Sequence, residues 1–346
     1  MSSETVQTND IVLQTKGSRI GSLMGVQIMG VGSSVPEKVV RNEDLAALGY
    51  DDEWIVQRTG ILERRHCEEG TATSDLALEA AQRCLADATV DPAEVDLLLV
   101  GTYTPDMPLP TTACLVQDRL GVSAPAMDLH AACTSFVFAL LTGMQYVATG
   151  CCQRVLVIGA DCNSRVADPA DEHTYPLFGD AAGAVLLGPG SDRQGLLAYA
   201  VGSDGSGAEL LWQPVGGSLR PFAKANKDDR RHFLQMHGKP IFKWAIRLVQ
   251  ETIHDVLHKA HATLDDVDLF IFHQANMRIL NAVVDDAGIN PQKVFNNLDR
   301  YGNTSAGSIP LALDEALRQG LVKPGNRVLL CGFGAGLTWG TVLLQW

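Results

Sequence analysis

A chain of 346 residues, 46% hydrophobic and 19% charged, is long enough for two domains or one large α/β unit with a substantial core. A formal charge of −13 and a pI near 5.1 exclude an extended nucleic-acid or anionic-membrane surface, so neither partner is expected. No apolar run reaches membrane-spanning length, and eight cysteines without a signal-peptide core or a C-x-x-C pair read as reduced thiols of a cytoplasmic, metal-free protein.

Residues 1–24 are read as an N-terminal extension, either flexible or a strand that docks late. Beyond them the chain repeats itself. Val95-Asp-Leu-Leu-Leu-Val100 returns as Val267-Asp-Leu-Phe-Ile-Phe272, an offset of 172. Arg154-Val-Leu-Val-Ile-Gly159 returns as Arg327-Val-Leu-Leu-Cys-Gly332 at 173, and Val31-Gly-Ser33 as Val201-Gly-Ser203 at 170. One offset, held in order along the chain, indicates a duplication into residues 25–190 and 191–346.

The first half opens on a strand over Val26–Gly32, followed by an amphipathic helix over Ser74–Ala88 with apolar residues at three- and four-residue steps. Next comes the strand Val95–Val100, apolar throughout as strands covered on both faces are. A second helix leads to the strand Arg154–Gly159, and Ala184–Leu187 closes the half. The second half repeats this grammar with Leu196–Gly202, a helix over Ile241–His258, then Val267–Phe272, a helix, Arg327–Gly332 and Thr341–Leu344. Strands alternating with helices predict mostly parallel sheets. Two such sheets about a pseudo-twofold axis predict an α/β stack of five layers, αβαβα.

Candidate chemistry falls where strands or loops turn into helices. Cys133 precedes the apolar stretch Phe136–Leu141, and Asn303 precedes Ile309–Leu313. The triplets Cys133-Thr-Ser135 and Asn303-Thr-Ser305 are offset by 170, which pairs them as equivalents of the two halves. A cysteine at a helix N-terminus is expected to have a lowered pKa and nucleophilic character. His273 ends the strand Val267–Phe272, at the carboxyl edge where α/β proteins place their sites, beside polar Gln274 and Asn276. Cys331 lies inside an apolar strand and reads as core. The turn Gly332-Phe-Gly-Ala-Gly336 lacks dinucleotide spacing, but its backbone N–H groups suit an oxyanion.

Together these residues resemble the type III β-ketoacyl-acyl-carrier-protein synthases, thiolase-like condensing enzymes. The resemblance covers residues 26–346 and rests on Asp52-Glu-Trp54, Arg58-Thr-Gly60, Ala131-Ala-Cys133, Phe178-Gly-Asp180, His273-Gln-Ala-Asn-Met-Arg278, Gly302-Asn-Thr-Ser305 and Phe333-Gly-Ala-Gly-Leu-Thr-Trp-Gly340. It implies a homodimer in which Cys133 takes an acyl group from acyl-CoA, with an oxyanion hole at the Cys133 and Ala335 N–H groups. His273 and Asn303 would bind the thioester carbonyl of a malonyl donor delivered by an acyl carrier protein, and no cofactor is required. Trp54, Arg58, Arg165, Phe242, Lys243, Asn276 and Arg278 are expected along the CoA and pantetheine route, and Leu109 and Phe333 at the primer pocket.

An acidic carrier protein needs a positive landing site. Arg220, Lys224, Lys227, Arg230, Arg231, Lys239, Lys243 and Arg247 supply eight basic residues against Asp228 and Asp229. Two departures from the family pattern stand out: Asp285-Asp286 after Arg278, where relatives tend to be basic, and Leu109 where relatives often carry Phe. Competing readings are an acyltransferase of secondary metabolism using the same cysteine, a biosynthetic thiolase using Cys331, and a non-catalytic subunit. The intact Asn303 argues against the first, and the retained nucleophile against the last.

Overall fold

The computed structural model describes residues 17–224, 226 and 229–346. Residues 1–16, Lys227, Asp228 and the Lys224 side chain lie outside the described residues. After β1 (Arg19–Met24), the chain forms β2 (Val26–Ser34), β3 (Val39–Arg41), α1 (Asp52–Thr59), β4 (Glu63–Arg65), α2 (Thr73–Ala88) and β5 (Leu97–Gly101). There follow α3 (Thr112–Leu120), β6 (Ala126–Leu129), α4 (Ser135–Ala148), β7 (Val155–Cys162) and β8 (Asp180–Pro189). The rest comprises β9 (Gly195–Ser203), β10 (Leu211–Trp212), β11 (Gln235–Met236), α5 (Gly238–Lys259), β12 (Leu269–Phe272) and α6 (Met277–Ala287). Last come β13 (Val294–Phe295), α7 (Leu298–Tyr301), α8 (Ser308–Arg318), β14 (Arg327–Gly334) and β15 (Thr338–Gln345).

Two sheets result, ordered β2-β8-β7-β5-β6 and β1-β9-β15-β14-β12-β13. Set side by side, β2, β8, β7, β5 and β6 match β9, β15, β14, β12 and β13, so the sequence repeat is a repeat of topology. The additional strand decides between the two expectations for residues 1–24: Arg19–Met24 is a docked strand rather than part of a flexible extension. β1 pairs antiparallel with β9 from Arg19↔Val201 to Met24↔Gly195, and its Leu23 is buried in the core. β1 thus lies at the edge of the second half's sheet, although it precedes the first half in sequence.

The layers follow from the period of two along each strand. In β5 and β7, Leu97, Leu99, Val155 and Val157 face a central cluster shared with α4 and α8, while Leu98, Val100, Leu156 and Ile158 face an outer cluster with α2 and α3. In β12 and β14, Leu269, Ile271, Val328 and Leu330 face the same central cluster. Phe270, Phe272, Leu329 and Cys331 face an outer one with α5 and α6. The order is helices, sheet, helices, sheet, helices, as the duplication predicts. Strands covered on both faces must be apolar throughout, which is why both buried strands read as continuous runs. No helix among the described residues is long and apolar enough to cross a membrane.

Candidate active site

The chain leaves β6 at Leu129 and enters the 3-10 turn Ala132–Thr134, which runs into α4. Cys133 is its central residue and is 6% exposed. Ala132 sits at φ 49°, a left-handed conformation that costs a non-glycine residue roughly 1–2 kcal/mol. Hydrogen bonds of the flanking residues, local and tertiary, fix the turn around it. The Ala131 N–H donates to Ser135 Oγ at 2.8 Å, and Thr338 Oγ1 lies 3.0 Å from Ala131 O, 2.9 Å from Ala335 O and 3.0 Å from Thr134 Oγ1.

The counterpart in the second half is the 3-10 turn Ser305–Gly307 ahead of α8, with Ser305 at φ 50°. Turn and helix therefore correspond at an offset of 173, which matches Cys133 with Ala306 and Asn303 with His130. The expected equivalence of Cys133 and Asn303 is thereby corrected: their shared Thr-Ser is a coincidence three residues out of register. The two turns do meet across the pseudo-twofold. Ser305 Oγ donates to Cys133 Sγ at 3.4 Å.

His273 follows β12, is 1% exposed, and places Nδ1 2.7 Å from Ser308 Oγ at the start of α8. Burial pushes its pKa down to about 3, so the ring is neutral at physiological pH. Phe333 packs on it in a T-shaped arrangement with ring centroids 5.4 Å apart. Asn303 is fixed by its backbone, with its N–H on Leu177 O at 2.7 Å and its carbonyl accepting from Gly179 N–H at 3.0 Å. Its Oδ1 accepts from the Ser305 N–H at 2.9 Å. That bond commits the amide's acceptor side to the turn and leaves Nδ2, the donor side, for a ligand.

The lowered cysteine pKa expected from the helix terminus is not found. Burial dominates and pushes the Cys133 thiol up to about 11, with the Asp161 carboxylate adding to the rise. The Ser305 hydroxyl and the N–H groups of Cys133 and Ala335 act in the opposite sense. Both N–H groups therefore address negative charge at this point. The Gly-rich turn reaches so close because residue 334 has no side chain: a Cβ there would lie 2.9 Å from Cys133 Cβ, 3.0 Å from its N and 3.3 Å from Sγ.

Cys133, His273, Asn303, Phe333, Ala335, Phe242 and Asn276 line one cavity of about 730 Å³, open mouth included. The remaining expected residues lie outside its lining. Trp54 and Arg58, one turn apart on α1, form a rim: Tyr50 stacks on the indole at 3.5 Å and the Arg58 guanidinium lies 5.4 Å from its centroid. Asn276 joins rim to cavity, donating from Nδ2 to Arg58 O at 3.1 Å while its Oδ1 caps α6 at Arg278 N. Arg278 sits 5.8 Å from the Phe242 ring centroid. Lys243 is exposed. Arg165 turns its guanidinium to the carbonyls of Glu68 and Thr71, so it clamps a loop. Leu109, at a loop tip, is 83% exposed and lines no primer pocket in this chain.

The basic segment is weaker than its sequence count. Arg230 pairs with Asp168, Arg231 with Asp229, and Arg247 with Glu251. Cys331 belongs to the outer cluster and is not part of the cavity lining, and burial pushes its thiol up to about 12. This removes the cysteine that a thiolase would need. Among the described residues, the one group of three possible metal ligands is Cys67, Cys162 and Asp180. Both Asp180 oxygens are already taken by Cys67 N–H and by Ser164 N–H and Oγ, which makes it a packed polar cluster.

Sequence reasoning missed Ser305, Ser308 and Asp161 as members of the site. The first two stood inside or beside a quoted motif, but nothing in a sequence says which serine hydroxyl turns inward.

A family model for the 3-oxoacyl-[acyl-carrier-protein (ACP)] synthase III C terminal matches residues 257–346, and one for 3-oxoacyl-[acyl-carrier-protein (ACP)] synthase III matches residues 127–205. The chain is 54% identical over 345 residues to the β-ketoacyl-[acyl-carrier-protein] synthase III of Rhodopirellula baltica, covering 94% of this chain and 100% of that one. It is 46% identical to the same enzyme of Natranaerobius thermophilus, with coverage of 94% and 100%. The solved structure of 3-oxoacyl-[acyl-carrier-protein] synthase III from Aquifex aeolicus matches with a TM-score of 0.85 at 41% identity, covering 94% and 100%. The priming β-ketosynthase of the R1128 polyketide pathway matches with a TM-score of 0.86 at 34% identity, covering 94% and 98%. The fold is thiolase-like, and the chain belongs to the β-ketoacyl-acyl-carrier-protein synthase III family.

Proposed function

We propose that the protein starts fatty-acid synthesis by condensing an acyl-CoA primer with malonyl-acyl carrier protein, losing CO2. The observation that carries this reading is one apolar cavity holding a buried thiol, two N–H groups beside it, a neutral imidazole and an amide whose donor side is free. Cys133 Sγ attacks the primer thioester, the Cys133 and Ala335 N–H groups receive the carbonyl oxygen, and the CoA thiolate leaves. The malonyl thioester then places its carbonyl oxygen between His273 Nε2 and Asn303 Nδ2. Loss of CO2 leaves an enolate, which two fixed donors in a dry cavity stabilise. The enolate carbon attacks the acyl-cysteine, and Cys133 returns as thiolate while the β-ketoacyl thioester departs.

A ring with pKa near 3 is a poor proton acceptor at neutral pH but a sound neutral donor. The scheme requires Ser308 Oγ, 2.7 Å from Nδ1, to be the donor of that contact, which puts the ring hydrogen on Nε2. No metal or organic cofactor enters this scheme. Fatty-acid priming is preferred to polyketide priming because identity is 54% to a synthase III of the first kind against 34% to the priming ketosynthase.

Half-buried Trp54 with the exposed Arg58 and Arg278 forms an aromatic and cationic rim that suits the adenine and phosphates of CoA. A cytoplasmic homodimer is part of the reading: Met107 and Leu109, 42% and 83% exposed on one loop, form an apolar tip for a second copy to cover. The test is CO2 release from malonyl-carrier protein with and without acetyl-CoA. A β-ketoacyl-carrier product formed only with both substrates is expected. Transfer of the acetyl group to a non-malonyl acceptor, without CO2, would replace this reading with a simple acyltransferase.

A further inference from the structure

A buried thiol pushed up to about 11 is a weak nucleophile at neutral pH, so the site needs something that favours the thiolate. The titratable groups facing the sulfur give little help. Asp161, on β7, is a buried carboxylate that opposes a second negative charge, Tyr103 follows β5, and the His273 ring after β12 is neutral. Three donors remain: the N–H groups of Cys133 and Ala335 and the Ser305 hydroxyl. The scheme above directs both N–H groups to the substrate carbonyl oxygen once a primer binds. Ser305 is then the donor that stays with the sulfur, its hydroxyl lying between Cys133 Sγ at 3.4 Å and the Asp161 carboxyl, which burial pushes toward the protonated form and so makes the weaker competitor.

We infer that Ser305 is a positioning residue for the nucleophile, its hydroxyl holding the Cys133 sulfur as thiolate, and that Asp161 fixes the turn that presents it. The inference rests on Cys133 being the nucleophile. Ser305 is fully buried and held at φ 50°, a conformation a serine does not adopt without restraint. Its own N–H is tied to Asn303 Oδ1 at 2.9 Å, and the next N–H, of Ala306, to Asp161 Oδ2 at 3.0 Å. Asp161 is anchored in turn by the Thr102 and Thr104 hydroxyls and the Tyr103 and Thr104 N–H groups, all at 2.8–3.1 Å from Oδ1. Gly159 clears the way for this contact, since a Cβ there would meet the Ala306 carbonyl oxygen at 2.3 Å. One turn therefore presents the amide of Asn303 to one half-reaction and the hydroxyl of Ser305 to the other.

The pseudo-symmetric turn supplies the control. Ala132 holds the same backbone conformation at φ 49°, so alanine is compatible with it, and Ser305→Ala removes the hydroxyl while keeping the backbone bonds to Asn303 and Asp161. The experiment is the rate of Cys133 alkylation by iodoacetamide as a function of pH, on the full chain without substrates, with the site mapped by peptide mass. Ser305→Ala is expected to move the midpoint upward and slow alkylation about five-fold near pH 8, the size of one hydrogen bond. Ser305→Gly, unstrained at φ 50°, gives the same shift. Alkylation at Cys133 with unchanged midpoints in both variants overturns the role of Ser305 and leaves the nucleophile standing. Wild-type alkylation that spares Cys133 and maps elsewhere overturns both.

Discussion

Asn303 offers the sharpest dissection of the reaction because its two amide ends have separate duties. Oδ1 accepts from the buried Ser305 N–H at 2.9 Å, and Nδ2 is the proposed enolate donor. Asn303→Ala removes both. It leaves a buried N–H without an acceptor, which costs about 1–3 kcal/mol of stability. Loss of one of two oxyanion donors slows decarboxylation about 10²–10³-fold, or ~2.7–4 kcal/mol. Asn303→Asp keeps an oxygen for the Ser305 N–H and replaces the donor by an acceptor beside developing negative charge. Its stability should therefore stay near wild type while decarboxylation falls further than in the alanine variant. Neither change touches the Cys133 or Ala335 N–H groups, so primer loading should survive in both, slowed in the alanine variant only as far as loss of the Oδ1 bond loosens the Ser305 turn. The two half-reactions are read apart, by acyl-adduct mass for loading and CO2 release for decarboxylation. An Asn303→Asp variant that decarboxylates as fast as wild type would refute the division of labour.

Gly334→Ala puts a methyl 2.9 Å from Cys133 Cβ, so the turn must retreat and carry the Ala335 N–H with it; loading should fall by roughly 10²-fold with folding retained, and near-wild-type loading would refute the close approach. His273 predicts an acid limit on stability. Its folded pKa of about 3 lies below the unfolded 6.5, so stability is full above pH 6.5 and is lost as pH falls toward 3, by about 4–5 kcal/mol. His273→Gln should move the acid-unfolding midpoint, followed by circular dichroism, to lower pH, although buried His66, also shifted down, keeps part of the sensitivity. Asp285 lies seven residues after Arg278 on α6, on the same face and about 10 Å along the axis. Asp285→Lys should lower the KM for malonyl-carrier protein several-fold at low salt while leaving acyl-CoA loading unchanged. An unchanged KM would place carrier docking elsewhere.

The fold was legible because its signals are local and repeated. Buried strands such as Leu97–Gly101 announce themselves as apolar runs, and the duplication orders them. The convergence of Cys133, His273 and Asn303 on one cavity was legible because each ends a strand or opens a helix in a recognisable motif. Three things were not. The register between the halves drifts from 170 to 173, so the shared Thr-Ser of Cys133 and Asn303 misled, and only the paired positive φ values of Ala132 and Ser305 fix it. The state of the thiol was misread because a helix terminus is visible in sequence, whereas burial is not. A docked strand was one of two expectations for residues 1–24, but its extent and its partner were not legible, because an edge strand pairing with residues far along the chain carries no signal of its own.

The central claim, that Cys133 carries the primer, is tested most directly by intact mass after incubation with acetyl-CoA alone. A stoichiometric adduct of about 42 Da, mapped to the Cys133 peptide and discharged by malonyl-carrier protein, is expected. Its persistence in Cys133→Ala at another residue, or its absence from wild type, would contradict the account.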